Sequence, residues 1–378
     1  MIILKDKNNC CGCGACANRC PHKCISMSYD KDGFIHPEID TKNCIDCGLC
    51  KKVCPVNNKS GKAKEPLDII AAFNKDDKVR QSSSSGGLFT LFAEWIIDSK
   101  GIVFGAAYNE KWEVSHISIE KKEDISKLRG SKYVQSFIGD TYSQAEKELK
   151  KGRLVLFTGT PCQIAGLHSF LGRHYNNLIL IDVLCHGVPS SRVFQLYIRE
   201  KSNKKDIYYI NMRSKKEGWK NYHFDINEYS VIYKNDTYME AFLRNLILRP
   251  SCYKCLFKNG KSYSDISLGD FWGVKEYHKQ IDDDKGLSLV LINTERGKQL
   301  FGKLNIDNST KVLYQEALTL NSGLSGIIRP HRSRSRFFKE LQKTANVTEL
   351  MECMLRPPLW KRVKYTLSTK LYKMIHKL

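Results

Sequence analysis

Apolar and polar positions along this chain change their period near residue 67. Residues 68–73 (DIIAAF) form a short apolar run of strand length, and 88–99 (LFTLFAEWIIDS) place apolar side chains at helical spacing before Gly101 ends the pattern. The alternation continues with a strand over 102–108, a helix over 142–151, apolar strands over 154–157 and 178–184 (LILIDVL), and a helix over 192–201. Apolar strands alternating with amphipathic helices predict an α/β core with a largely parallel or mixed sheet. Residues 206–238 read as antiparallel, with aromatic alternation in YHFDI. Before residue 58 the apolar residues are few, and Ile25, Met27, Phe34, Ile35 and Ile39 are spaced to pack a small hairpin. Residues 58–66 (NKSGKAKEP) are polar and basic with Gly and Pro, which marks a linker.

The poorly periodic start carries the clearest chemistry. Cys10, Cys13, Cys16 and Cys20, followed by Pro21, recur as Cys44, Cys47, Cys50 and Cys54, followed by Pro55. Two copies of C-x-x-C-x-x-C-x-x-x-C-P are the two-cluster bacterial ferredoxin signature, in which the fourth Cys of each copy serves the other cluster. One cluster is expected on Cys10, Cys13, Cys16 and Cys54, the other on Cys44, Cys47, Cys50 and Cys20. A zinc site or a disulfide framework would leave the third Cys and the C-P step unexplained.

Composition sets bounds. A chain of 378 residues, 42% hydrophobic, can bury a large core beside the small module. Fifteen cysteines without an apolar leader after Met1 point to thiols in a reducing compartment, and no apolar run approaches the roughly 18 residues of a membrane span. A cytoplasmic chain is expected. The formal charge of +21 counts cysteines as neutral, and each cluster with four thiolates would subtract roughly two. The balance stays positive and favours acidic partners: an acidic electron-carrier protein, a phosphorylated substrate or anionic lipid. A nucleic-acid binder would interleave basic clusters with stacking aromatics along a groove. Here the lysines are scattered through every helix, which argues against nucleic acid.

Four more cysteines stand in the body: Cys162 in GTPCQIAGL, Cys185 in DVLCHGVPS, and Cys252 with Cys255 in PSCYKC. They are enough to hold a third 4Fe-4S cluster, and buried thiols or a redox-active pair compete with that reading. The strings SSSSGGLFTLFAEWI, LRGSKYVQS, VLFTGTPCQIAGL, LIDVLCHGVPSSRVF, RPSCYKCLFK, SDISLGDFWG and KGLSLVLINTERGK resemble the beta subunits of coenzyme F420-reducing hydrogenases and formate dehydrogenases, with a dicluster ferredoxin domain fused in front. The resemblance runs over residues 1–335. It implies FAD beside a 4Fe-4S cluster, and it implies that Cys162, Cys185, Cys252 and Cys255 hold that cluster. The resulting organisation is a dicluster ferredoxin domain (1–57), a linker (58–66), a mixed α/β flavin and iron-sulfur domain (67–335) and a basic tail (336–378).

The residues themselves add detail to the flavin expectation. Ser84, Ser85, Gly86 and Gly87 end at a helix start, where backbone N–H groups favour a pyrophosphate, although a flexible Ser/Gly loop has the same composition. Arg129 and Lys132 could neutralise phosphates or a reduced flavin, or form a solvated turn, and the backbone at Gly159 and Thr160 could approach a ring. His186 and Asp270 are weak acid candidates, and Phe271 and Trp272 could flank a ring or fill core. No strand-borne G-x-G-x-x-G and no P-loop is present, and Cys11, Cys24 and Cys353 have no assigned role. In the tail, Trp360, Val363, Leu367, Leu371 and Leu378 share one helical face opposite Lys and Arg, a pattern that suits the inner face of a membrane or packing on the chain's own core. Arg332, Arg334 and Arg336 are expected to enlarge the basic surface.

The expected protein is a cytoplasmic iron-sulfur flavoprotein oxidoreductase that exchanges electrons with a redox partner protein or small carrier. Its substrate would be F420-like or belong to a polysaccharide pathway. The alternative is a non-enzymatic electron-transfer subunit that docks to a separate catalytic protein.

Overall fold

The computed structural model describes residues 6–58, 65–258, 260–304, 306, 308–325 and 328–356. The chain begins with a short helix, α1 (Ala15–Arg19), and an antiparallel hairpin of β1 (Ile25–Tyr29) and β2 (Ile35–Ile39). There follow β3 (Asp68–Ala72), α2 (Leu88–Asp98), β4 (Ile102–Tyr108), β5 (Val114–Ile119), α3 (Thr141–Lys150), β6 (Val155–Gly159), α4 (Pro161–Leu171), β7 (Leu178–Val183) and α5 (Ser191–Lys201). The remaining strands are β8 (Ile210–Ser214), β9 (His223–Ile226), β10 (Tyr229–Ile232), β11 (Ile266–Asp270), β12 (Ser288–Ile292) and β13 (Ser309–Lys311).

Eight strands form one sheet in the order β13-β3-β12-β11-β7-β6-β4-β5. Its middle is parallel, with β4, β6, β7 and β11 running together, and antiparallel strands flank it on both sides. Side chains alternate across the middle strands as a doubly covered sheet requires. Val103, Leu156, Ile179 and Ile181 face α2 on one side, while Phe104, Phe157, Leu178 and Leu180 face α3 and α4 on the other. Strands β8, β9 and β10 make a separate antiparallel sheet, where the alternating aromatics of 222–238 pack. The mixed α/β body with an N-terminal ferredoxin-like region matches the fold that the periodicity predicts.

Two features differ from the sequence pattern. The ferredoxin segment does not keep its apolar residues to itself: Cys11, Cys13, Ala15 and Val53 share a core with Phe157, Ile164 and Leu167 of the body. Phe34 is buried in a second cluster, 5.6 Å from the ring of Phe338. About fifty residues bury too little surface to stand alone, so the segment borrows the body's core. Residues 334–355, read as basic surface and tail, form the helices Arg334–Glu340 and Val347–Leu355, with Phe337, Phe338, Val347, Met351 and Leu355 buried. Arg334 reaches inward, donating to the Leu248 carbonyl at 2.8 and 3.0 Å and lying over the Phe338 ring. The amphipathic stretch 359–378 lies outside the described residues. Among the described residues no helix is long and apolar enough to cross a membrane.

Candidate functional site

The first group of cysteines surrounds a cavity. Cys10, Cys13, Cys16 and Cys54 line it together with Cys11, Met27 and Pro37. Gly12 (φ 68°) and Gly14 (φ 74°) let the loop turn tightly enough to aim three thiols at one space. Cys54 arrives from the second motif, thirty-four residues downstream of Cys20 in the first. Cys20 instead stands with the second motif, 3.3 Å from the thiol of Cys24, which also lies within reach of Cys44. Cys50 is buried, while Cys47 is exposed at the surface.

The body cysteines converge from three elements. Cys162 sits in the first turn of α4, whose start is fixed by Thr160 as N-cap in a capping box with Gln163 and by Pro161 at the first helical position. Cys185 follows the end of β7, and Cys252 and Cys255 belong to the tight turn after Arg249. The four interact electrostatically, with Cys185 sensing Cys252, Cys162 and Cys255. Thr160 Oγ1 lies 3.2 Å from Cys162 Sγ, and the Val188 N–H donates to Cys252 Sγ at 3.4 Å. Cys11 joins the two groups, because its buried thiol interacts with those of both Cys13 and Cys162.

Burial, reinforced by neighbouring thiols, pushes Cys16 and Cys252 up to about 12. Thiols that resist ionising together are stabilised as thiolates by a positively charged iron core, and the donor set therefore fits such a core. Among the described residues no three His, Cys, Asp or Glu side chains are placed to hold a single metal ion.

The parallel strands β4, β6, β7 and β11 end at one edge of the sheet, where crevices form in α/β proteins. Two of the segments singled out for a flavin, the serine loop and the turn at residues 129–132, meet there. The Ser131 N–H donates to Ser84 Oγ at 2.6 Å, and Arg129 donates to Ser82 Oγ at 3.0 Å and Thr90 Oγ1 at 3.1 Å. Ser85 Oγ donates to the Leu287 carbonyl, and the Gly86 N–H donates to Ser288 Oγ. A Cβ on Gly86 would lie 2.6 Å from the Ala72 carbonyl oxygen, so only glycine fits this passage. Lys132 curls back onto the carbonyls of Leu128, Arg129 and Gly130, and burial brings its pKa down to about 7. Gly159 and Thr160 stand beside Cys162 rather than beside the serine loop.

Sequence reasoning missed several residues around this edge. Arg213 is buried and donates to both carboxylate oxygens of Asp270, to the Tyr133 hydroxyl and to the Ser84 carbonyl. Its Nε has no hydrogen-bond partner. Asp270 also accepts from Trp219 Nε1 at 3.0 Å, and Trp219 stacks on Trp272 with ring centroids 4.7 Å apart. Asp270 is therefore an anchor in an ion pair. Trp272 is part of that aromatic stack, while Phe271 fills core. His186 bonds through Nε2 to Asn245 Oδ1 at 2.7 Å, and burial lowers its pKa. Asp182, at the end of β7, is 3% exposed with Oδ1 unpartnered, and it lines a second pocket with Cys185 and Lys258.

The fold and the thiol sites define an iron-sulfur electron-transfer protein with a dicluster module set into a mixed α/β body. Residues 9–58 match the family described as the 4Fe-4S dicluster domain, and residues 152–313 match the family described as the C terminus of the coenzyme F420 hydrogenase/dehydrogenase beta subunit. Among solved structures, a chain of the F420-reducing NiFe hydrogenase complex from Methanosarcina barkeri is similar, at 18% identity over 71% of this chain and 90% of that chain, with a TM-score of 0.48. No curated protein matches.

Proposed function

We propose that this chain is an iron-sulfur flavoprotein oxidoreductase in which electrons pass between the ferredoxin sites, a third 4Fe-4S site on Cys162, Cys185, Cys252 and Cys255, and FAD held at the strand ends. The observation that carries the proposal is the convergence of the four body thiols at the edge of the parallel strands, where Cys11 puts them in contact with the first ferredoxin group. Cys47 is exposed, so the second ferredoxin group is the face at which a redox partner protein or small carrier would exchange electrons.

A bound flavin would supply the exchange between one-electron and two-electron chemistry. The chain's part is placement and charge. Ser84, Ser85, Gly86 and Gly87 form a passage whose backbone is pinned by Arg213 and Lys215, which suits it to hold a phosphate without rearrangement. Arg129 brings positive charge beside it, Lys132 adds to that charge when protonated, and the unpartnered Nε of Arg213 is a buried donor at the same edge. Gly159 and Thr160 border the body thiols. The substrate would be a two-electron carrier of the F420 type or an oxidisable group of a polysaccharide pathway. We place the protein in the cytoplasm, with the basic stretch 359–378 at the inner face of the membrane.

Reconstituted full-length protein tests this directly. About twelve irons and one heat-released FAD per chain are expected, together with F420 reduction or oxidation by the isolated chain. Full iron with no retained flavin would remove the flavoprotein reading. Flavin and iron without turnover of any two-electron substrate would leave an electron-transfer subunit that serves a separate catalytic protein.

A further inference from the structure

Between the first ferredoxin group and the body thiols lies a cation that neither cysteine motif announces. Arg249 immediately precedes the turn carrying Cys252 and is 1% exposed. Its Nε donates to the Cys10 carbonyl at 2.7 Å and one terminal nitrogen to the Ile35 carbonyl at 2.7 Å, so a body residue grips the ferredoxin segment at two places. The other terminal nitrogen donates to Gln135 Oε1 at 2.8 Å, and Gln135 Nε2 in turn donates to the Cys11 carbonyl at 3.2 Å. His36 Nε2 is 3.5 Å away and is itself paired with Asp30. Gly12 belongs to the same arrangement. A Cβ there would stand 2.6 Å from Gln135 Nε2 and 3.1 Å from the guanidinium, so the left-handed glycine makes room for the clamp.

The hydrogen-bond partners found for Arg249 among the described residues are carbonyls, an amide and an imidazole, with no carboxylate. A guanidinium this deeply buried needs negative charge close by, because an uncompensated buried ion is costly. The thiols supply it on both sides. Arg249 is bonded to the backbone of Cys10 in the first ferredoxin group on one side, and on the other it immediately precedes the turn that carries Cys252 of the body group.

We infer that Arg249 is the shared counter-ion of two iron-sulfur sites, a positioning residue that locks the ferredoxin segment to the body and raises the reduction potential of both neighbouring clusters together. The inference rests on the iron-sulfur assignment proposed above. A positive charge fixed between two centres favours the reduced, more negative form of each. The hydrogen bonds of Arg249 named above reach the backbone of Cys10 and none of the second-group cysteines, so the second ferredoxin group, with Cys47 at the surface, provides an internal reference.

The test is an EPR-monitored redox titration of the full reconstituted chain as wild type, Arg249→Gln and Arg249→Lys. Gln removes the charge, and both neighbouring midpoints should fall by at least a tenfold change in reduction equilibrium, about 59 mV for one electron, with the reference cluster unmoved. Lys keeps the charge but loses the fork, so the midpoints should stay near wild type while iron in the first ferredoxin site becomes faster to chelate. Unchanged midpoints in the Gln variant, or an equal fall in the reference cluster, would overturn the inference. If the Gln variant fails to fold, a Lys variant with both midpoints lowered by tenfold does the same. A wild type with no body-cluster signal removes the iron-sulfur assignment itself, whereas intact signals with unresponsive potentials remove only the role of Arg249.

Discussion

Replacing Asp270 with alanine strands the Arg213 guanidinium. The side chain of Arg213 is 1% exposed and that of Asp270 is 17% exposed, so water compensates little of the lost charge. The change removes contacts of 2.9 and 3.3 Å to Arg213 and also deprives Trp219 Nε1 of its acceptor. Breaking a buried pair by deleting one partner costs roughly 3–5 kcal/mol, most of it the uncompensated charge that remains. Lys215, already brought down to about 7 by burial and by the Arg213 charge, aggravates the imbalance. With an m-value of about 3 kcal/mol/M, the urea midpoint should drop by roughly 1 M or more. Trp219 and Trp272 stack beside the pair, so tryptophan fluorescence reports the loss locally. The double variant Arg213→Met with Asp270→Ala removes both charges and should recover about 2 kcal/mol of the loss. Because Arg213 also holds the Ser84 carbonyl, the single variant should release flavin more readily. A single variant that costs less than about 1 kcal/mol, or a double variant no more stable than the single, would refute the reasoning.

Burial raises Asp182 from 3.8 to about 6, so the folded chain holds a proton that the unfolded chain has lost, and stability should fall as pH rises through that window by about 3 kcal/mol; Asp182→Asn should flatten this slope in urea midpoints measured across it. Alanine at Gly166 would place its Cβ 2.8 Å from the Tyr142 hydroxyl and 2.9 Å from Cys13 Cβ, and should cost about 1–3 kcal/mol and loosen iron in the first ferredoxin site, as read by chelation kinetics. Deleting residues 359–378 should reduce sedimentation with anionic vesicles, and 1 M salt, with its Debye length of about 3 Å, should do the same for the intact chain; equal sedimentation with and without the segment would contradict a membrane role.

The elements legible in the sequence are those whose signal is local. The apolar run over 102–108 predicts a strand, and β4 spans Ile102–Tyr108, because a continuous apolar stretch between a helix end and polar residues leaves little choice. The cysteine motifs are legible because ligand spacing is itself a local pattern. Arg249, Gln135 and Cys11 are not, since each is a single residue that matters through partners more than a hundred positions away, as the Arg249 bond to the Cys10 carbonyl shows. The local pattern puts Phe34 in a small hairpin, but its burial depends on Phe338, three hundred residues later. The arginines of RSRSRFF conceal a core helix, because Arg334 satisfies its charge against the Leu248 carbonyl and an aromatic ring instead of water. The serine loop stands out for its helix start, whereas the Arg213 and Lys215 contacts that fix its shape come from β8 and the residue after it, with nothing in the local pattern to mark them.

The central claim is that the four body thiols form the stop between the ferredoxin sites and the flavin. Cys252→Ser with Cys255→Ser, made in the full chain, tests it by rapid mixing with a reductant that delivers electrons to the ferredoxin clusters, followed by flavin absorbance. The account predicts loss of about four of twelve irons, intact ferredoxin signals, retained flavin, and flavin reduction slowed by at least tenfold. A double variant that keeps all its iron and reduces its flavin at the wild-type rate would show that Cys162, Cys185, Cys252 and Cys255 are buried thiols and carry no electrons.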